Sequence, residues 1–124
     1  MGQRLFFDTR FSGALLAEEH DGAFVSSGLG MRGTPGKVAC SSCHHPAAGF
    51  LDTRSTKQQV SLGAAWTHRR SPSLLDVGYA SVLMWDGRRD TGFNQVFGAI
   101  EASAEMNSSR LFVAQQMGRL YKAD

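Results

Sequence analysis

Apolar positions recur at helical spacing in three parts of the chain, and no segment alternates as a strand does. Near the start, "GQRLFFDTRF" predicts a short helix whose apolar side carries Leu5 and Phe6, and with them Phe7. "TGFNQVFGAIE" and "SSRLFVAQQMGRLYKA" place apolar residues three and four positions apart, which predicts two longer helices. Asn107 or Ser108 is expected to cap the last helix. The pattern predicts a mainly α fold.

Shorter signals divide the rest of the chain. "ACSSCHH" fits a short helical turn that Pro46 ends, and Ser71 before Pro72 is a helix start signal. Residues 12–37 hold six glycines and Pro35 without a period, which predicts a long irregular surface loop. "LDTRSTKQQVSLGAAW" is polar and also predicts a loop.

Length and charge narrow the class of protein. A chain of 124 residues with 42% hydrophobic residues predicts one domain with a modest core. The 13 basic and 11 acidic residues are scattered, so nucleic-acid binding is not expected. No apolar run reaches the length of a membrane span, and "MGQRLFFD" shows no signal-peptide pattern.

The candidate chemistry lies in "VACSSCHHPAAGF", which holds both cysteines of the chain. Cys40 and Cys43 sit one helical turn apart, so both can form thioethers to the two vinyl groups of a haem, and His44 can bind its iron. Structural zinc needs four ligands, and His44 and His45 cannot easily both join two cysteines of one turn. A dithiol redox switch usually follows a strand in a βαβ unit, which is missing here. The motif favours one covalent haem c.

Four stretches together resemble one family. "RLFFDTRFSG", "CSSCHHPAAGF", "RRSPSLLDVGYASVLMWDGRRD" and "IEASAEM" occur in this order in the bacterial di-haem cytochrome c peroxidases and their MauG-type relatives. The resemblance runs from about residue 3 to the end, except residues 12–37, which look like an insertion. It implies that residues 1–124 form one cytochrome c-like haem domain of the N-terminal, peroxidatic type. The second haem domain of the family is absent from this chain.

The resemblance also implies an activity and a set of roles. It implies a periplasmic oxidoreductase that reduces hydrogen peroxide with electrons from a second haem domain, or from a donor cytochrome or cupredoxin. His44 matches the proximal iron ligand, and Glu105 matches the distal acid that moves a proton between the peroxide oxygens. Glu101 matches a nearby pocket position that is often glutamine, and Trp85 matches an aromatic electron relay between the haems. Arg88 is expected to pair with the haem propionates, together with Arg69.

Two positions depart from the family pattern. Ala64 stands where the family's peroxidases carry a histidine that closes the iron, and alanine cannot ligate. The departure predicts an iron already open on its distal side, unless His68 takes that position. Arg70 stands where an asparagine serves an interdomain calcium, so a calcium site built in the usual way is not expected.

Two other functions remain open, and four further residues have simple structural interpretations. A mono-haem electron carrier would need a sixth ligand, either His68 or a methionine. A MauG-like enzyme would oxidise the side chains of a protein partner. Met84 and Met106 are expected to fill the core. His45 and His20 are expected at the surface.

Overall fold

Helices are the regular elements of the part of the chain that the structure describes. The computed structural model describes residues 1–16, 30–54 and 60–122. Its α-helices are α1 (Gly2–Phe7), α2 (Cys40–Cys43), α3 (Gly92–Glu101) and α4 (Arg110–Leu120). Short 3-10 turns lie at Thr9–Phe11, Pro46–Ala48 and Val77–Tyr79. Over those described stretches, β pairing is limited to isolated bridges, so the mainly α prediction is confirmed.

The two long helices begin at hydroxyl caps. The Thr91 side chain accepts a hydrogen bond from the Asn94 backbone and starts α3, and Ser109 does the same for α4. The cap of α4 therefore lies later than Asn107 or Ser108. Those two residues are occupied elsewhere, because Asn107 donates its amide to the Ala14 carbonyl and Ser108 donates its backbone N–H to α3.

Two apolar clusters form the core. The helical cluster brings together residues of the 3-10 turn after α1, of α3 and of the segment around α4: Phe11, Ile100, Met106 and Tyr121. The loop cluster lies outside the helices and consists of Leu15, Val38 and Leu62, with Trp66 packed against them. Met106 fills the core as predicted. On α3, however, Phe93 and Val96 are exposed, and Ile100 is the helix's buried residue.

The ends of the predicted surface loop 12–37 lie inside the protein. Ser12 and Leu15 are each 1% exposed, and Val38 beside the loop is buried as well. The Ser12 hydroxyl accepts hydrogen bonds from the backbone N–H groups of Lys37 and Val38, which ties the two ends of the loop together. The surface-loop prediction is therefore wrong for these ends. The glycine-rich composition predicted that their backbone N–H groups would bind water, but the Ser12 hydroxyl accepts hydrogen bonds from them instead. His20 lies outside the described residues.

The polar segment after residue 50 is also more buried than its composition predicted. Its described residues, 51–54 and 60–66, are irregular, as expected, but Asp52 and Ser61 are each 2% exposed, and Ala64 is fully buried. These two polar side chains are paired rather than solvated: Asp52 binds Arg54, and the Ser61 hydroxyl accepts a hydrogen bond from a backbone N–H.

The helix predicted to begin at Ser71 does not form. The segment makes a single 3-10 turn at Val77–Tyr79. Ser71 donates its hydroxyl to the Cys43 carbonyl, and Ser73 donates its hydroxyl to the Gly49 carbonyl at 2.6 Å. These long-range bonds hold the segment against the turn after α2 and compete with local helix formation.

None of the helices in the described stretches is long and apolar enough to cross a membrane. The longest of them, α4, has 11 residues, whereas a transmembrane helix needs about 20.

Gly63 lies where the backbone of residues 104–105 approaches closely. A Cβ at Gly63 would collide with the Glu105 carbonyl oxygen, whereas one at Gly118 in α4 would meet nothing within 4 Å. We expect Gly63→Ala to lower the free energy of unfolding by about 1–3 kcal/mol through overpacking. We expect Gly118→Ala to raise it by about 0.5–1 kcal/mol. Urea denaturation measures both, and equal stability of the two variants would contradict the close approach.

Candidate functional site

One large cavity opens between parts of the chain that are distant in sequence. Its volume is about 720 Å³, and its walls come from the end of α2, residues 67–74, residues 83–88 and the turn after α3. Cavities that bind small molecules and cofactors usually measure about 300–1,000 Å³ and have mostly apolar walls with a few polar groups. The cavity is therefore large enough for a cofactor.

Most of the site residues predicted from the sequence meet here. The cavity is lined by Cys43, His44, Trp85, Arg88 and Glu105. Cys40 begins the helical turn that Cys43 ends, and it is exposed. Glu101 is the predicted catalytic residue that does not line the cavity.

Glu101 faces solvent and binds Arg110. The Arg110 Nε lies 2.6 Å from its carboxylate oxygen, and both side chains are well exposed. Hydrogen bonds from Arg110 lower the pKa of Glu101 to about 2. A carboxylate held ionised in this way is a poor proton carrier near neutral pH. The structure thus separates Glu101 from the other residues with which the sequence analysis grouped it.

Gln95 lines the cavity, and the sequence analysis missed it. Its Oε1 is buried without a hydrogen-bond partner among the described residues. Because that oxygen is fully buried, the rest of the side chain forms this part of the cavity wall. Helical spacing could have indicated Gln95. It lies two helical turns before Ala102, which follows α3 and also lines the cavity, so the two residues are on the same side of the helix.

His44 is oriented by the turn that follows α2. Its Nδ1 lies 3.1 Å from the Phe50 carbonyl oxygen. Gly49 and Phe50 both have left-handed backbone angles, with φ of 64° and 60°, and this turn brings the carbonyl back to the ring. A metal-binding histidine commonly donates its second N–H to such a carbonyl, which leaves Nε2 for the metal. Burial lowers the pKa of His44 although carbonyl hydrogen bonds oppose it, so the neutral, ligating form is favoured.

The environment of Cys43 does not favour a redox thiol. The Arg54 Nη2 lies 3.4 Å from its sulfur, and the thiol donates to the Leu62 carbonyl. Burial raises the pKa of Cys43 to about 12, and the opposing effect of Arg54 is smaller. Reactive dithiols have lowered thiol pKa values instead. The raised pKa of Cys43 therefore argues against a dithiol redox switch.

Glu105 is a partly buried carboxylate held by backbone contacts. Its carbonyl accepts a hydrogen bond from the Ala64 backbone N–H at 2.6 Å. Burial raises the pKa of its carboxyl above the usual value of 4.5, while the charges of Arg88 and Arg89 lower it by less. Glu105 is therefore protonated over a wider pH range than an exposed glutamate, as a proton-transfer group requires.

Arginines stand at the rim of the cavity. Arg69 and Arg88 both pair with Asp86, at 2.6 and 2.8 Å, and all three side chains are partly exposed. Trp85 is 65% exposed and donates its indole N–H to the Arg70 carbonyl at 2.7 Å. The rim thus offers cations that can meet carboxylate groups of a ligand, and an aromatic ring that reaches from the cavity to solvent.

The residues present fit a covalently attached haem. Cys40 and Cys43 lie on one helical turn, and His44 leaves one ring nitrogen for iron. Zinc fits less well, because the described ranges hold no group of three His, Cys, Asp or Glu residues that could bind a metal ion. Cys40, Cys43 and His44 would hold the haem.

The residues considered for the distal side differ in position. Ala64 is fully buried and outside the cavity lining. His68 and Met84 line the cavity, and His68 is exposed. His45 is exposed, as predicted. The guanidinium of Arg70 donates to the Asp52 carbonyl at 2.8 and 2.6 Å, so this side chain is engaged within the protein.

Comparisons with known proteins find related haem proteins. The family model of the di-haem cytochrome c peroxidases matches residues 1–123. The methylamine utilization protein MauG of Methylorubrum extorquens is 29% identical, over 94% of this chain and 27% of that protein. The cytochrome c551 peroxidase of Pseudomonas aeruginosa is 27% identical, over 97% of this chain and 28% of that protein.

A solved structure shows the same fold. The diheme peroxidase BthA of Burkholderia thailandensis matches with a TM-score of 0.66 and 29% identity, over 95% of this chain and 28% of that chain. The chain thus spans less than a third of the length of these relatives.

The pKa of Glu105 predicts a pH-dependent effect on stability. Its folded pKa is raised, so the folded protein binds this proton more tightly than the unfolded chain does. The carboxyl therefore lowers the free energy of unfolding as pH rises from the ordinary glutamate value through the folded value. We expect Glu105→Gln to remove this loss, so the variant gains stability relative to the unsubstituted protein across that window.

Glu101→Gln is the matched control with the opposite sign. The lowered pKa of Glu101 contributes stability above the ordinary glutamate value, and that stability is lost as pH falls toward about 2. Urea unfolding between about pH 2 and pH 8 covers the windows of both variants. Parallel pH profiles for the two variants would contradict the assigned environments.

Proposed function

Because this chain belongs to the di-haem cytochrome c peroxidase family, as its motifs predicted, we propose that it is the haem domain at which hydrogen peroxide is reduced. The observation that carries the proposal is the placement of His44 and Glu105 in one cavity. The cavity therefore offers an iron ligand and a proton carrier to the same bound molecule. The proposal concerns a domain that works with the rest of a longer protein or with a separate donor.

The chain's first task is to hold the cofactor. Cys40 and Cys43 would bind one haem c as thioethers, and His44 would bind its iron, with the ring fixed by the Phe50 carbonyl. Bound haem supplies an iron that exchanges electrons and can offer an open position to peroxide. Arg88 at the rim would pair with the propionates, and Asp86 orients it. Covalent attachment of this kind implies export, so we propose a periplasmic location.

The second task is proton transfer. Reducing hydrogen peroxide consumes two electrons and two protons and releases two waters. Glu105 would take the proton from one peroxide oxygen and return it to the other, because its raised pKa makes both protonation states accessible.

The third task is electron delivery. Trp85 lines the cavity and is 65% exposed, so its ring connects the cavity with the protein surface. Electrons from a second haem domain, or from a donor cytochrome or cupredoxin, would enter at this ring. Oxidation of a protein partner is the second candidate function, because relatives include proteins named methylamine utilization protein MauG. The same exposed ring would face that partner.

Peroxide turnover tests the role of Glu105. We expect Glu105→Gln to lower the rate of peroxide reduction by about 10²–10⁴-fold, since it removes the proton carrier and keeps the shape. Glu101→Gln is the control and is expected to keep the rate, because Glu101 lies outside the cavity. Steady-state assays with a reduced donor cytochrome, on protein with its full complement of haem, give the comparison. A rate that depends on Glu101 and not on Glu105 would overturn the assignment.

The spin state of the ferric protein tests whether the distal side is open. Ala64 cannot ligate, so we expect a high-spin electron paramagnetic resonance signal at low temperature that His68→Ala leaves unchanged. His68 lines the cavity and is the ligand that an electron carrier would use. A low-spin signal that His68→Ala converts to high spin would favour electron transfer without peroxide chemistry.

A further inference from the structure

The sequence Asp-Thr-Arg occurs twice and folds in the same way in two different environments. In residues 8–10 and in residues 52–54 the aspartate accepts the arginine's backbone N–H at 2.9 Å and binds its guanidinium. The first copy is nearer the surface, since the Arg10 side chain is 56% exposed, although that of Asp8 is 7% exposed. The second copy is buried, with side-chain exposures of 15% for Arg54 and 1% for Asp52.

The buried copy lies against the proposed haem attachment. Arg54 Nη2 lies 2.8 Å from an Asp52 carboxylate oxygen and 3.4 Å from the Cys43 sulfur, and it also donates to the Leu62 carbonyl. The Asp52 carbonyl accepts the Arg70 guanidinium, which anchors the backbone of the pair. A fixed cation thus contacts the sulfur of Cys43, and the anion binds that cation.

The arrangement persists when the thiol hydrogen is lost. Thioether formation adds the Cys43 S–H across a vinyl group: the sulfur bonds one carbon, the hydrogen goes to the other, and no oxidant or reductant is consumed. The Leu62 carbonyl then loses the thiol as a donor and keeps Arg54. The Leu62 carbonyl is therefore not left unpaired, and the sulfur can still accept the Arg54 hydrogen bond. Arg54 therefore remains beside the attached cofactor.

A buried ion pair contributes little net stability to the fold, because desolvation offsets most of the attraction between the charges. Its electrostatic effect on neighbours is strong, since buried charges are poorly screened by water and salt. One-electron reduction of a haem iron lowers its charge by one unit, so a nearby cation favours the reduced state and an anion favours the oxidised state. Charges and hydrogen bonds around a metal's attachment points set its reduction potential in this way.

We propose that the buried Asp52–Arg54 pair tunes the reduction potential of the haem iron held at Cys40, Cys43 and His44, with Arg54 raising the potential and Asp52 lowering it. The inference rests on the proposed function, since it requires that haem. Arg54 and Asp52 would not touch the reacting atoms. They would act through the contact of Arg54 with the Cys43 sulfur and through the electrostatic field of their charges. Opposite effects from the two members of one ion pair are the signature of this role.

The test is a potentiometric titration of the whole chain with its covalent haem, with dithionite as the reductant and soluble mediators. We expect Arg54→Leu to shift the potential downward, Asp52→Asn to shift it upward, and the double variant to lie near the unsubstituted protein. Arg10→Leu and Asp8→Asn, in the surface copy of the same turn, are the matched controls and are expected to leave the potential unchanged. Thermal unfolding of each variant separates the potential from stability.

Shifts in the same direction for Arg54→Leu and Asp52→Asn, or no shift in either, would overturn the inference, because a structural role perturbs both variants alike. If Arg54→Leu does not fold, Arg54→Lys and Asp52→Asn decide the question. The lysine keeps the charge and is expected to hold the potential near that of the unsubstituted protein, whereas Asp52→Asn must still raise it. An unsubstituted chain without covalent haem contradicts the proposed function instead, which keeps the two failures distinct.

Discussion

The backbone contact between residues 63–65 and 104–105 fixes the turn that carries Glu105. The Ala64 N–H donates to the Glu105 carbonyl, and the Ala65 N–H donates to the Ala104 carbonyl. Gly63 permits this approach, because a side chain there would collide with the same carbonyls. The contact joins the loop cluster to the turn after α3, and that turn carries Glu105 into the cavity. The position of the candidate acid therefore depends on a pairing that involves neither a helix nor a strand.

Environment, rather than residue type, separates the two carboxylates at the end of α3. Glu101 and Glu105 are four residues apart, but the helix ends between them and the chain turns inward. Arg110 binds Glu101 at the surface and lowers its pKa, whereas burial raises the pKa of Glu105. The result is one surface carboxylate that is ionised near neutral pH and one carboxyl whose raised pKa favours proton exchange.

In the two Asp-Thr-Arg turns, too, the environment rather than the residue type distinguishes two otherwise similar ion pairs. Both copies close the same hydrogen bonds, so the local sequence is sufficient for the turn itself. The long-range packing of Leu62 and Cys43 against Arg54 makes one copy a buried charge pair beside the cavity. The surface copy instead connects the N-terminal segment to α4, since Asp8 accepts the Tyr121 hydroxyl.

Sequence alone was enough to predict the helical character, the α2 turn with Cys40, Cys43 and His44, and the family. These depend on contacts within one or two helical turns, or on motifs that local chemistry requires. The tertiary structure decided which polar residues are buried. It placed Gln95 in the cavity and Glu101 outside it, and it turned the predicted Ser71 helix into a wall of the cavity. Hydrogen bonds between residues distant in the chain decide these features, and periodicity within a short window does not contain them.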